Sequence, residues 1–438
     1  MNAVATVFLV VCSIGVLIVP RRWALAPLLA GACYMTLGQG FNLGPFNFTV
    51  IRVLILVGAV RILFRQERII GRMNRLDWGI VAFGLWAIIS SAFHQAGEDG
   101  NPWVYRLGLA YNTCGIYFLT RVWCRSKDDV VCVIRVLAFL LAPLALEMAA
   151  EKLTARNFFS VLGGVPPTPP IRDGSLRAMG PFGHPILAGT VGAVCFPLIC
   201  GILRTHRAVA VIGLSACTFI VFASSSSGPI MSAFAGAFAL IMWRFRHLTR
   251  LARIGAVACY VLLDIVMKAE PYYLLARIAI SGGSTGWHRA ELIDSAIRHL
   301  NEWWLGGTAY TRHWMPTGVS WSANHTDLTN HYIKMGVLGG LPLMLLFIFL
   351  LWTAFRFIGE TLHAEPEISA SESFFVWCLG AALFAHVATC ISITYFDQSF
   401  IFVYITFAVI GSMRATRGDA MGDNSESSDD VALEPSSV

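Results

Sequence analysis

Charged side chains are scarce in this chain, and their scarcity already limits the class of protein. Asp, Glu, Lys and Arg make up 13% of the 438 residues, whereas hydrophobic residues make up 56% and the mean hydropathy is +0.65. These values lie outside the range of soluble globular proteins. The length allows about a dozen membrane spans of some 20 residues each, which leaves little chain for a soluble domain.

Cysteine motifs are missing, although the chain contains eleven cysteines. No CxxC pair and no Cys/His zinc spacing is present, and no cysteine lies in segments 150–183 or 268–332. Eight of them lie inside apolar runs: Cys12, Cys33, Cys195, Cys200, Cys217, Cys259, Cys378 and Cys390. We predict that they are small buried hydrophobic residues rather than disulfide partners or metal ligands.

The sequence also lacks a basic segment before its first apolar run and a clear small-residue cleavage site after Val19. Ala3–Val19 is therefore predicted to be a retained span rather than a signal peptide. There is no solenoid repeat and no symmetry between two halves of the kind that transporters show. The serine-rich turn at 224–227 lacks a nucleophile elbow or a positioned base, which argues against a serine hydrolase.

Apolar runs bounded by charged or turn residues predict thirteen spans. They fall at 3–20, 23–38, 46–64, 78–94, 106–122, 130–149, 184–203, 208–224, 228–244, 254–268, 336–355, 374–391 and 399–413. The count is twelve if one of the first two is re-entrant. Each must be helical to satisfy its backbone in lipid without barrel closure. The predicted fold class is all-α, a polytopic membrane protein with about 12–13 transmembrane helices and one large extracytoplasmic cap loop.

The basic residues of the short loops fall on one side of the predicted membrane. These are Arg21, Arg22, Arg61, Arg65, Arg68, Arg72, Arg75, Arg121, Arg125, Lys127, Arg204, Arg207, Arg244, Arg246, Arg250, Arg253, Arg356, Arg414 and Arg417. The short loops of the other side contain only Arg106. By the positive-inside rule the first side is cytoplasmic, so the net charge of +6 does not indicate nucleic-acid binding.

This orientation divides the chain into a membrane domain and a tail. Residues 1–413 form the polytopic domain, with extracytoplasmic loops at about 150–183 and 268–335. Residues 414–438 are rich in Ser, Asp and Glu and are predicted to be a disordered, acidic cytoplasmic tail.

The segment Lys268–Tyr332 is the most informative interruption of the apolar chain. It contains five of the eleven histidines and five of the thirteen tryptophans. A loop of this length is uncommon unless it is functional or disordered, and an aromatic-rich segment can bury enough surface to fold. We therefore predict a folded cap that carries the chemistry.

Within the cap, the stretch from Gly283 to Leu300 predicts a loop that runs into a helix, which Ser284 or Thr285 could cap. Apolar residues recur on one face at Leu292, Ile293, Ala296, Ile297 and Leu300. Arg289 lies in the first turn, where free N–H groups and the helix dipole favour anions. A cation at this position is explained if a phosphate group lies between the Arg289 side chain and the N-terminus of the helix. The alternative is an exposed arginine paired with Glu291 or Asp294.

A second cluster, Asn324-His325-Thr326-Asp327, lies shortly before the next span and is followed by His331. His325 can accept a hydroxyl proton near neutral pH, and Asp327 could orient it. A purely structural, hydrogen-bonded histidine is the simpler alternative. The side chains of His325, Asp327 and His331 could also bind a metal, although their sequence spacing is loose for a metal site.

A third cluster ends the smaller outer loop, from Leu176-Arg177 through Gly-Pro-Phe-Gly to His184-Pro185. Its glycines and prolines predict a fixed irregular turn at the membrane face. Arg177 would be poorly solvated there without an anionic partner, unless it snorkels to lipid headgroups. Trp303-Trp304 could anchor the cap at the bilayer interface or stack on sugar rings.

Together these three segments give the chain a family resemblance. The first is Leu176-Arg177-Ala-Met-Gly-Pro-Phe-Gly-His-Pro, and the second is Gly286-Trp-His-Arg289, whose helix leads to Trp304-Leu-Gly-Gly. The third runs from His325 to Gly336 and continues as Val-Leu-Gly-Gly-Leu. In order, spacing and sidedness they resemble the O-antigen ligase and O-antigen polymerase superfamily of bacterial membrane glycosyltransferases, over about residues 170–355. The family often has His-Asn in the third segment, where this chain has His-Thr.

The resemblance implies an all-helical, GT-C-like enzyme that works without a metal or other cofactor. Its partners would be an undecaprenyl-pyrophosphate-linked oligosaccharide donor and a glycan or lipid A-core acceptor, at the periplasmic face of a bacterial inner membrane. Carried over by position, Arg177 and Arg289 would hold the donor pyrophosphate, and His325 would activate or position the acceptor hydroxyl. Five further residues are expected to contact substrate: His184, His288, Asp327, His331 and Trp304.

A membrane transporter or lipid-glycan flippase is the alternative function, since many spans fit both classes. A transporter should place ionisable residues near the bilayer midplane. The candidates within predicted spans are few, namely Arg52, Arg135, Glu147 and Asp264, whereas the polar clusters gather in the outer loops. This distribution favours an enzyme.

Overall fold

The computed structural model describes residues 1–94, 100–277, 286–316, 318–320, 322–363 and 369–431, with side chains as far as residue 415. The first eight helices over this part of the chain are α1 (Ala3–Ile18), α2 (Ala26–Tyr34), α3 (Val50–Arg65), α4 (Arg75–Ile89), α5 (Pro102–Trp123), α6 (Lys127–Thr154), α7 (Pro185–Cys200) and α8 (Arg207–Ala223). The others are α9 (Ser227–Ile241), α10 (Thr249–Val266), α11 (Leu274–Arg277), α12 (Gly286–Arg298), α13 (Leu300–Trp303), α14 (His331–His363), α15 (Ala370–Ser392) and α16 (Phe400–Val431).

Strands are short and peripheral. Two antiparallel hairpins occur over the described residues, one pairing β1 (Gly40–Leu43) with β2 (Phe46–Thr49) and the other pairing β3 (Ile171–Arg172) with β4 (Ser175–Leu176). Short 3-10 segments join the helices, at Arg21–Trp23, Ser90–Phe93, Phe158–Leu162, Met242–Leu248, Pro271–Tyr273 and Arg312–Trp314. The predicted all-helical class is confirmed at this level.

Four helical segments are long and apolar enough to cross a membrane, judged by length and composition over the described residues. They are Arg75–Phe93, Lys127–Thr154, His331–His363 and Ala370–Ser392. Shorter apolar helices occur at Ala3–Ile18, Pro185–Cys200, Arg207–Ala223 and Phe400–Ala415. This pattern is that of an all-α membrane protein.

Each of the thirteen predicted spans contains a helix, although the helix bounds differ from the predicted ones, most clearly in the second and third spans. The span predicted at 46–64 begins as strand β2, and its helix starts only at Val50. The segment predicted at 23–38 contains the nine-residue α2, which at 1.5 Å per residue is roughly 14 Å long. A helix of that length cannot cross a hydrocarbon core of about 30 Å.

One end of the bundle is held by ion pairs that the sequence does not predict. Arg121 pairs with Asp77, Arg61 with Glu67, and Arg21 with Asp129, at 2.8, 2.9 and 2.9 Å. We call these six residues the ion-pair end. Arg61 and Arg121, which the sequence counted among the basic residues of the cytoplasmic side, lie near the ends of α3 and α5 and are buried.

Helix α14 breaks at Gly339-Gly340, where both residues leave helical geometry. Gly340 has a φ of 72°, and a Cβ built there would lie 2.1 Å from the carbonyl oxygen of Leu305. Gly307 mirrors it, with a φ of 87° and a Cβ position 2.2 Å from the Val337 oxygen. The two Gly-Gly motifs of the sequence therefore dock against each other, and only glycine permits so close an approach.

The described part of the predicted cap is folded and has a hydrophobic cluster of its own. The cluster contains Leu292, Ala296, Trp303, Trp314, Met315, Ile333 and Val337, so it joins α12 to α14. The predicted helix face is only partly right, because Ile297 is 59% exposed. Trp303 is buried rather than free to anchor the cap, whereas Trp304 is exposed. The proposed caps Ser284 and Thr285 lie outside the described residues.

The remaining predictions concern the cysteines and the tail. All eleven cysteines are free thiols. Six of the eight that were predicted to be buried are buried, whereas Cys200 is half-buried and Cys259 is exposed on α10, a helix without buried residues. Helix α16 extends to Val431, so its backbone continues into the segment predicted to be a disordered tail, and residues 432–438 lie outside the described residues.

Candidate functional site

A cavity of about 490 Å³ lies where the cap meets the ends of α5, α7 and α14. Among the described residues, its charged lining consists of five cations, Arg106, Arg172, Arg177, Arg289 and Lys334, and one carboxylate, Asp327. His94, His184 and His325 line it as well. We call it the cationic cavity. It brings together five of the eight predicted site residues from all three sequence clusters: Arg177, His184, Arg289, His325 and Asp327.

Arg177 enters the cationic cavity from the turn that follows hairpin β3–β4. Met179 and Gly180 donate their backbone N–H groups to Glu151 of α6, which fixes the turn. The Arg177 guanidinium donates to Ser226 Oγ at 2.6 Å and is only 6% exposed, so it does not snorkel to the surface. Its Nε is buried and has no hydrogen-bond partner among the described residues. An unsatisfied charged donor is costly, and it suits a site that receives an anion.

Arg289 lies in the first turn of α12, as predicted, and is also 6% exposed. Its Nε donates to the Ser392 carbonyl at 3.2 Å. The proposed pairing with Glu291 or Asp294 is wrong for this residue, because Arg298 takes both carboxylates at 2.7 and 2.5 Å. Neither Glu291 nor Asp294 therefore neutralises the charge of Arg289, which faces the cavity.

The electrostatic environment of the cavity is positive. Burial lowers the pKa of the Arg289 guanidinium, and the neighbouring charge of Arg172 lowers it further, whereas Asp327 opposes the shift. Burial and then Arg172 also lower the pKa of Arg177. Burial raises the pKa of the Asp327 carboxyl, which His288, Lys334 and Arg289 partly offset. An anion bound between the arginines would relieve this repulsion.

His325 is oriented by Thr311, which takes the role that the sequence gave to Asp327. Thr311 Oγ1 lies 3.1 Å from His325 Nδ1, and it also accepts the Thr326 backbone N–H at 3.2 Å. A hydroxyl oxygen can accept a second hydrogen bond, from Nδ1–H. In that tautomer the Nε2 of His325 carries the lone pair that a general base needs.

His184 caps helix α7 and stays uncharged. Its Nδ1 accepts the Ile186 backbone N–H at 3.1 Å, so in the neutral ring the proton is on Nε2. Burial lowers the pKa of His184 to about 4, with further contributions from Arg177 and Arg172. The residue can thus donate one hydrogen bond at neutral pH without adding charge.

Three predicted site residues lie away from the lining of the cationic cavity. His288 is buried behind it, where Nε2 lies 2.8 Å from the Asp327 carbonyl. His331 lines a neighbouring cavity of about 330 Å³ and packs on Phe347. Trp304 is exposed on the cap. His325, Asp327 and His331 do not form a cluster of metal-ligand atoms within the described part of the chain.

Four basic residues of the lining were not predicted as site residues from the sequence: His94, Arg106, Arg172 and Lys334. Arg106 donates to the Leu338 carbonyl, which lacks a helical donor because residue 342 is proline, and lies 3.0 Å from His94 Nε2. The sequence contained a signal for Arg106, since it was the one basic residue of the short outer loops. Arg172, Lys334 and His94 carried no comparable signal.

The sequence matches no model of a known protein family and no curated protein.

Proposed function

We propose that this protein transfers a glycan from a polyprenyl-pyrophosphate donor to an acceptor hydroxyl at the extracytoplasmic face of a bacterial inner membrane, as a polymerase or ligase of surface polysaccharide. The cationic cavity carries the proposal. It places buried arginines from two separate segments beside a histidine that a threonine orients. The three sequence segments that resemble the O-antigen ligase and polymerase superfamily supply these residues.

The arginines suit the donor, because the leaving group of the transfer is a diphosphate. As the bond between the anomeric carbon and the phosphate oxygen breaks, negative charge grows on that oxygen. Arg177 and Arg289 offer fixed guanidinium groups that match phosphate oxygens. The buried Nε of Arg177 would gain the partner that it lacks among the described residues.

His325 suits the acceptor. The acceptor oxygen forms the new bond to the anomeric carbon and its proton passes to His325 Nε2, while the pyrophosphate leaves with the electron pair of the broken bond. The step needs no oxidant and no metal-bound water. Asp327 lies in the same cavity, where its carboxylate can accept a hydrogen bond from a sugar hydroxyl.

The predicted topology places this cavity outside the cytoplasm. It lies at the start of α5, near Arg106, whereas the ion-pair end includes Arg121 near the end of the same helix. The fifteen intervening steps correspond to roughly 22 Å along the axis. The nine residues of α2 favour twelve spans over thirteen.

One observation favours the alternative of a transporter or flippase. Helix α14 is broken at Gly339-Gly340, and discontinuous helices often line transport sites. The freed carbonyls, however, are satisfied by protein groups: Arg106 donates to Leu338 and Trp86 Nε1 donates to Gly339 at 2.7 Å. Because these groups already have partners, the break is better explained by the docking of the cap.

The test replaces Arg289 or His325 by alanine in the native host. Each variant should abolish high-molecular-weight surface polysaccharide on gels while the protein still reaches the membrane. Loss of ligation leaves polymer on the lipid carrier, whereas loss of polymerisation leaves single repeat units. A flippase defect would instead retain the lipid-linked unit on the cytoplasmic side.

Matched controls are Arg298→Ala, an exposed arginine of the same helix, and His363→Ala, an exposed histidine at the end of α14. Both should leave the polymer ladder unchanged. Unchanged ladders in Arg289→Ala and His325→Ala at normal expression would overturn the proposal. Purified protein should also catalyse the transfer in detergent without any ion gradient, which a transporter would not do.

A further inference from the structure

Three potential metal ligands meet in the cap outside the cationic cavity. His299 directly precedes α13, Glu302 lies within it, and His313 belongs to the 3-10 turn Arg312–Trp314. Each offers one ligand atom, and these atoms lie within 4.8 Å of one another. We propose that His299, Glu302 and His313 bind a divalent transition-metal ion of the Zn²⁺ type.

The ligand set suits such an ion. Zn²⁺ binds imidazole nitrogen and carboxylate oxygen at about 2.0–2.2 Å, so its tetrahedral ligands lie roughly 3.4 Å apart. His313 Nε2 and the Glu302 carboxylate are 3.0 Å apart, and the rings of His299 and His313 are 5.0 Å apart between centroids. Small side-chain rotations bring all three to one ion. Because the three side chains are partly exposed, a water molecule can fill the fourth position.

Contacts around the cluster prepare the ligands for metal. His299 Nδ1 lies 2.8 Å from the Ser295 carbonyl, which can only accept, so the proton is on Nδ1 and the lone pair on Nε2. Trp314 Nε1 donates to Glu302 at 3.1 Å and fixes the carboxylate. Tyr310 stacks on the His313 ring at 5.2 Å. Orientation of a ligating histidine by a backbone carbonyl is a usual feature of protein zinc sites.

An ion here would cross-link α13 to the turn that carries Thr311. The backbone N–H groups of Thr311 and Arg312 both donate to the Asn324 carbonyl, at 2.9 and 3.0 Å, and Thr311 Oγ1 contacts His325. The ion would therefore hold Thr311 against His325 from a distance. This consequence rests on the proposed function of His325, whereas metal binding itself does not.

The experiment uses the full chain, with any polyhistidine tag removed, purified in detergent and treated with a chelator. Titration with Co²⁺ should give visible absorption typical of a four- or five-coordinate His/His/Glu site, at one ion per chain. Zn²⁺ should displace the Co²⁺ and raise the midpoint of thermal unfolding. His313→Ala should weaken binding by about 100-fold, and Glu302→Gln, which preserves shape, by at least about tenfold.

The matched control is His363→Ala. His363 also contacts the carbonyl four residues earlier, with Nδ1 2.7 Å from the Gly359 oxygen, but it is not part of a ligand cluster among the described residues. This variant should bind metal as the wild type does. Equal metal affinity in His313→Ala, Glu302→Gln and wild type would overturn the site, as would a wild type that binds no ion.

The effect of the bound metal on glycan transfer is measured in a separate experiment. Chelation should slow glycan transfer in the wild type and have no further effect in Glu302→Gln. Metal binding without any change in transfer would overturn the coupling to His325 and leave the site standing. An inactive wild type that still binds one ion would overturn the proposed function alone.

Discussion

Arginines lie at both ends of the helical bundle, but their partners differ. At the ion-pair end, Arg121 binds both oxygens of Asp77, at 2.8 and 3.0 Å, and neither side chain is exposed. In the cationic cavity, Arg177 contacts the Ser226 hydroxyl and Arg289 the Ser392 carbonyl, which are neutral groups. Over the described lining residues, one carboxylate, Asp327, accompanies five cations, and Arg172 also pairs with its neighbour Asp173 at 3.7 Å.

The two sites differ in how the charge of the arginine is balanced. At the ion-pair end a carboxylate neutralises it, whereas in the cationic cavity the charge remains available to a bound anion. A carboxylate beside a guanidinium neutralises it and competes with a phosphate for the same N–H groups. A hydroxyl or carbonyl orients the guanidinium and leaves the charge in place. Because a buried charge without a counter-charge is costly, the cavity should be stabilised by an anion, whereas the ion-pair end should be indifferent to one.

The largest effect is expected at the ion-pair end. Asp77→Asn leaves the buried charge of Arg121 without its counter-charge and weakens the bond from the Tyr117 hydroxyl, which is 2.6 Å from Asp77. Unfolding free energy should fall by about 3–5 kcal/mol. Thermal unfolding in detergent measures the loss. The exposed Asp128 supplies the control, since Asp128→Asn should cost less than about 1 kcal/mol. Equal stability of the Asp77→Asn and Asp128→Asn variants would contradict a stabilising role for the ion-pair end.

The next effect reports the neutral state of His184, which burial and then the charges of Arg177 and Arg172 favour. Its pKa is about 4 in the folded protein and about 6.5 in an exposed chain, so the unfolded state binds more protons between these values. Stability should therefore be complete above pH 6.5 and fall by up to about 3 kcal/mol as the pH decreases to 4. His184→Asn preserves the helix cap and should flatten this slope, whereas His363→Asn should not. A slope that persists in His184→Asn would assign it to other groups.

Sequence patterns predicted much of this arrangement for identifiable reasons. Helices followed from long apolar runs, because lipid allows little else. Each of the three predicted residues lies in a recognisable local pattern: Arg177 in a Gly/Pro turn, Arg289 at a predicted helix start, and His325 in a polar cluster just before a span. Their convergence on one cavity is a tertiary fact that no local pattern contains.

What the sequence missed depends on contacts between distant segments. Thr311 orients His325 although it lies fourteen residues earlier in the chain, and no motif around Thr311 predicts this contact. Arg121 was counted as a charge of the cytoplasmic side, because the positive-inside rule counts charges and does not predict the buried partner Asp77 on another helix. Lys334 lies one helical turn after His331, in the part of α14 that precedes the break, where Gly339-Gly340, Pro342 and the docking of the cap together interrupt the helix.

Inorganic pyrophosphate offers a direct way to sharpen the comparison. At 100 times its dissociation constant it should stabilise the wild type by about 2.7 kcal/mol, because it binds the folded cavity alone. Arg289→Gln should lose most of this gain, whereas Arg298→Gln on the outer face of the same helix should keep it. Thermal unfolding is measured with sulfate at matched ionic strength as the reference. Equal gains in the two variants would place the anion elsewhere.

The smallest effect comes from the neutral partner of Arg177. Ser226→Ala removes the 2.6 Å contact to the guanidinium, and the Michaelis constant for the donor should rise about tenfold, equivalent to about 1.4 kcal/mol. Ser226→Asp tests the comparison more sharply, because it gives Arg177 the kind of partner that Arg121 has. That variant should unfold at a higher temperature than Ser226→Ala and yet transfer glycan more slowly, since the new carboxylate occupies the place of a phosphate. A Ser226→Asp protein as active as wild type would mean that the charge of Arg177 is not reserved for a ligand.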